Sequence, residues 1–158
     1  MTLHVVLIVL HATLATIAFG VGCSLLVVFP RSAASPRFIA YFASILVAVA
    51  ALVAVVVVDW ADLPIVQRVV FGGLCLLGVY LLFRTERARS ALAHQRARWR
   101  EGFAGHIGFV LISLCDAFCI VFAVDLQISP FVIVPVAVLG VVVGSLAIRR
   151  VTRRVARY

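Results

Sequence analysis

Apolar residues along this chain come in long unbroken blocks, with the polar residues gathered into short gaps between them. Five stretches, about 3–29, 38–58, 64–83, 104–124 and 130–148, run almost without a charged side chain. A bilayer core about 30 Å thick is crossed by roughly 20 apolar residues in a helix, so each block is long enough. Runs such as "AALVAVVVVDW" lack the alternation of apolar and polar residues that a membrane strand needs. A helix satisfies all its own backbone groups in lipid. The pattern therefore predicts an all-α polytopic membrane helix bundle, a single domain over residues 1–158 with five transmembrane helices, four being the alternative.

The gaps carry start signals. Ser35 before Pro36 and Ser129 before Pro130 each place a capping hydroxyl ahead of a proline at the first helical position. Asp62 with Pro64 is expected to act similarly before the third span. Pro135 lies inside the fifth span and predicts a kink or a later start there.

Composition agrees with the blocks. Of 158 residues, 65% are hydrophobic and 13% charged, where a soluble domain carries about a quarter charged. Mean hydropathy is +1.23. Charge then adds orientation. Thirteen of the fourteen arginines fall in the gap 30–37, the basic loop 84–103 and the tail 149–158, while Asp59, Asp62 and Asp125 fall in the opposite gaps. With five spans the three basic segments share one side. The positive-inside rule makes that side cytoplasmic, with the N-terminus outside and the C-terminus in the cytoplasm. The first block lacks a positive n-region and is long for a signal peptide, so it reads as a retained helix.

Little chain is left outside the membrane, and no phosphate loop, dinucleotide fingerprint or nucleophile elbow occurs. No acid, base and nucleophile set converges in sequence, which leans against an enzyme. Because topology already explains the basic charge, the expected partners are anionic lipids of the cytoplasmic leaflet and not nucleic acid. Arg96, Arg98, Trp99 and Arg100 are the expected headgroup contacts. The sevenfold spacing of Leu92, Trp99 and His106 suggests a helix lying at the interface. Small residues recur at Ala12, Thr16, Gly20 and Ser24 in the first span and at Gly140 and Gly144 in the fifth. Such spacing lets helices approach closely, within the bundle or across an oligomer seam.

The candidate chemistry is a set of polar groups near mid-membrane. From helical rise, Asp116 lies about 17 Å from the basic end of its span and His11 about 12 Å from the opposite surface. Cys75 and Cys115 fall at similar depths. An ionised carboxylate in hydrocarbon is costly unless paired, protonated or wet, so Asp116 is expected to face His11. Such a pair is either a proton, ion or metal site or a hydrogen bond joining two helices. Cys115 and Cys119 share a helix face, but without third and fourth ligands the cysteines read as packing, and no metal is assigned. No cofactor is predicted. His11 and His106 sit at different depths and should not share a haem iron, leaving a haem held by a single histidine as the alternative.

A histidine in the first helix, an arginine-rich loop ending in Trp99, and "GHIGFVLIS" opening the next helix together resemble small bacterial integral membrane proteins of high-GC organisms. The likeness spans the first block and residues 96–124. Those relatives have no assigned activity, so the resemblance implies a bacterial inner-membrane location and nothing of chemistry. The functional expectation is an accessory or transport-related membrane protein with a buried His11/Asp116 site. The alternatives are a redox protein handling haem or quinone through its histidines, and a structural or partner-binding subunit.

Overall fold

The structure is a computed structural model that describes residues 3–95 and 98–126, together with positions 140, 142, 144 and 146. Four helices account for the continuous part: α1 (Leu3–Val27), α2 (Pro36–Asp59), α3 (Ile65–His94) and α4 (Trp99–Asp125). All four are long and apolar enough to cross a membrane, and no strand occurs among the described residues. The four described positions within the expected fifth span, Gly140, Val142, Gly144 and Leu146, are helical. The rest of 130–148, with Ser129, Pro130, Pro135 and the tail 149–158, lies outside the described residues.

Local sequence explains the start of α2 as expected. Ser35 Oγ accepts a hydrogen bond from the Phe38 N–H at 3.4 Å, and Pro36 occupies the first turn where no N–H is needed. The start of α3 differs. Asp62 does not cap it, and Pro64 itself stands at the N-cap without a side-chain bond. Arg68 secures this turn instead. Its Nε donates to Leu63 O at 2.8 Å, its Nη2 to Ala61 O at 3.0 Å, and its guanidinium lies 6.0 Å from the Trp60 ring centre. The turn had carbonyls to satisfy, and the long Arg68 side chain reaches back to two of them.

The basic stretch also differs from expectation. Residues 84–94 are not loop, and the heptad-spaced positions do not lie on one interfacial helix. α3 runs on to His94, ends at Gln95 in the left-handed conformation (φ 41°), and α4 begins at Trp99. The reason is a stripe concealed among the arginines. Leu81, Thr85, Ala88 and Leu92 recur at three- and four-residue spacing, and all four are buried. Burial of that face carries the helix about three turns beyond its apolar block.

The helices form two antiparallel hairpins, α1 with α2 and α3 with α4. α2 also meets α3 and α1 meets α4, so the helices run around the bundle in chain order. The core is concentrated at the arginine-rich end. Leu25, Phe38, Tyr41, Leu92, Phe103 and Ile107 are fully buried there. Phe38 and Phe103 have ring centres 6.1 Å apart, and Trp99 stands edge-on to Phe29 at 6.3 Å. Such contacts contribute about 0.5–1.5 kcal/mol each beyond burial. The Tyr41 hydroxyl is buried beside Thr85 and makes no hydrogen bond of good geometry among the described residues, while Thr85 donates its own hydroxyl to Leu81 O at 2.9 Å. Arg84 ties α3 to α4 by donating from Nη2 to Gly105 O at 3.1 Å and lying 4.6 Å over the Phe109 ring. Toward the opposite, acidic end the buried side chains are smaller, with Ala51, Val55, Val56 and Leu74 among them.

Candidate functional site: an apolar cavity with two oriented histidines

A cavity of about 390 Å³ lies between the two hairpins in the acidic half of the bundle. Small-molecule sites typically enclose roughly 300–1,000 Å³. All four helices line it, and the walls are almost wholly apolar, with Ile8, Leu52, Phe71, Leu74 and Phe118 among them. Small side chains make the room. Ala12, Ala48 and Ala117 face it where larger residues would meet across the bundle. Gly78 lets α3 pass close to Val49, whose methyl carbons would be 3.2 Å from a Cβ at that position.

Polar atoms enter this wall from His4, His11 and Asp59. At the acidic end of the bundle His4 Nδ1 bonds Asp59 Oδ2, joining the first turn of α1 to the last of α2. Two turns deeper, His11 Nδ1 bonds the Ala48 carbonyl of α2 at 2.8 Å. A carbonyl oxygen can only accept, so the proton sits on His11 Nδ1. The same reasoning holds for His4 against an ionised carboxylate. With Nδ1 carrying a proton, a neutral ring presents Nε2 as an acceptor and a charged ring presents it as a donor. Neither Nε2 has a hydrogen-bond partner among the described residues.

The expected site residues are thus only partly brought together. His11 lines the cavity and bonds the Ala48 carbonyl, and no hydrogen bond joins it to Asp116 among the described residues. Asp116 does not line the cavity. It turns toward the fifth segment, with Oδ1 2.7 Å from where a Cβ on residue 140 would stand. Gly140 therefore leaves the space that this carboxyl occupies. One turn along, Gly144 does the same for Ile112. Cys75 is half-buried in α3 and lines no part of the cavity; Cys115 and Cys119 are exposed on α4. No group of three or more His, Cys, Asp or Glu side chains that could hold a metal occurs among the described residues.

The expected headgroup contacts divide as well. Arg96 lies outside the described residues. Arg98 is exposed and donates from Nε to Glu101 at 2.9 Å, while the Arg100 guanidinium lies 5.6 Å over Trp99. Trp99 is half-buried and packs on the aromatic core.

Sequence reasoning missed the His4–Asp59 bond. The available signal was the seven-residue spacing of His4 and His11, which puts both on one face of α1. No family model, curated protein or solved structure matches this chain.

Proposed function

We propose that this chain is a small multi-pass membrane protein that binds an amphiphilic small molecule within the bilayer, in an accessory or transport-related role. The observation carrying this reading is the apolar cavity whose polar entries are side chains already oriented from a neighbouring helix. A pre-oriented polar group in an apolar wall fixes a ligand's direction at little further entropic cost. Filling the cavity tests it. Ala117→Trp should at least halve the amount of small molecule that co-purifies with the detergent-solubilised protein, measured by solvent extraction and mass spectrometry. Equal recovery from both proteins refutes the cavity as the binding place.

The same proposal includes five spans, the N-terminus outside, and a bacterial inner membrane. Its support is the clustering of arginine in three segments that five spans would place together. Single cysteines introduced at positions 33, 94 and 155 should label only from the cytoplasmic side, and one at 61 only from outside. Labelling of 155 from outside replaces this topology with four spans.

A further inference from the structure

We propose that Arg84 and Arg87 bind the phosphate of an anionic phospholipid, on the seam of α3 and α4 at the arginine-rich end. The site is separate from the cavity and does not depend on it. Three observations carry it. The first is level. The apolar block of α3 ends at Phe83 and that of α4 opens at residue 104, so each helix turns from apolar to polar there. The hydrogen bond from Arg84 Nη2 to Gly105 O sets these two boundaries side by side. In a bilayer such a boundary lies among the headgroups, where basic side chains meet lipid phosphates.

The second is unspent charge. The Arg84 guanidinium lies 4.6 Å over the Phe109 ring of α4, and that of Arg87 lies 5.0 Å over Phe83. Both charges act on the His106 ring, so the two guanidinium groups stand around one place. Neither has a carboxylate partner among the described residues. Glu86 pairs with Arg89, which lies against Phe42 of α2, and Glu101 pairs with Arg98. Guanidinium forks match phosphate oxygens in pairs, and stacking on a ring fixes the plane of the fork beforehand. The third is the surface below. Leu76, Val79, Tyr80 and Phe83 are exposed and, with Arg87, recur at three- and four-residue spacing on one face of α3. Tyr80 also meets Phe109 edge-on at 5.5 Å, so this apolar strip runs up to both arginines. A free phosphate leaves the strip bare, whereas the acyl chain of a phospholipid covers it.

The test titrates the purified full-length protein in detergent with phosphatidylglycerol and, separately, with phosphatidylcholine. Native mass spectrometry reads the affinity for the first lipid bound. Phosphatidylglycerol should bind about fivefold or more the tighter of the two. Arg87→Gln alters an exposed side chain and should weaken phosphatidylglycerol about fivefold, leaving phosphatidylcholine within about twofold. Arg37→Gln removes an equally exposed charge from the same end of the bundle and should change neither lipid by more than about twofold. Equal losses from the two variants mean that the charge acts diffusely, and they overturn the site. No loss from Arg87→Gln overturns it as well. Inorganic phosphate in large excess should leave the lipid bound; its displacement makes the ligand a soluble anion and overturns the phospholipid. Should Arg87→Gln fail to fold, the unsubstituted protein decides, and equal affinity for the two lipids overturns the proposal.

Discussion

Valine in place of Gly22 should destabilise the detergent-solubilised protein by about 3 kcal/mol, the upper part of the range for overpacked cores. Alanine in place of Gly20, two residues away, should be neutral or stabilising by up to about 1 kcal/mol. A Cβ at position 22 would stand 2.7 Å from Leu111 Cδ2 and 2.9 Å from Tyr41 Cε2. Neither neighbour can withdraw. Tyr41 is wholly enclosed by the aromatic cluster, and Leu111 is buried where α4 passes α1. At Gly20 nothing lies within 4 Å, and alanine simply removes the conformational freedom of glycine. Thermal unfolding of the two variants beside the parent checks this. Equal melting temperatures would mean that α1 does not approach α2 and α4 at Gly22.

The second large effect is expected where the fifth segment meets α4. A Cβ at Gly144 would fall 2.5 Å from Ile112 Cδ1, 2.6 Å from Cγ2 and 2.8 Å from Cγ1. Every near atom belongs to one β-branched side chain, which has few rotamers to escape into. Gly144→Leu should therefore cost about 3 kcal/mol. Ile112→Ala should recover at least half of that loss when combined with it, because the cavity it creates accepts the new side chain. A double-mutant cycle on thermal unfolding reads the coupling directly. If Gly144 instead lined a seam between two copies, Gly144→Leu would abolish the dimer in light scattering, and the recovery would follow protein concentration.

Residues differ in how openly the sequence announces them. The apolar blocks were legible because bilayer thickness sets a length that composition alone can meet. Ser35 with Pro36 was legible because a cap is local, formed by residues three apart. The continuation of α3 was harder. Its buried stripe contains Thr85 and Ala88, which carry little hydropathy, and the arginines around them dominate any average. His11 was identified, but its partner could not be. A backbone carbonyl exists at every residue, so nothing in sequence marks Ala48 over its neighbours. Asp116 was assigned a polar partner by its cost in lipid, whereas glycine at 140 meets it by leaving room. The cavity itself was the least legible. Alanine at 12, 48 and 117 is visible in sequence, but whether neighbours close over small side chains depends on how two hairpins meet.

The uneven distribution of the core gives the molecule a fulcrum. Aromatic rings from α2, α4 and Phe29, just beyond α1, pin the bundle at its arginine-rich end, and at the other end the hydrogen bond between His4 and Asp59 ties α1 to α2. Asp59 lies eighteen residues from Tyr41 along α2, a lever arm of about 27 Å. A tilt of roughly 4° about the rings moves the far end by about 2 Å, nearly the radius of an aliphatic chain. The geometry thus converts a small change of angle at the aromatic end into a change of cavity width at the other, as the jaws of a clothes peg follow its spring.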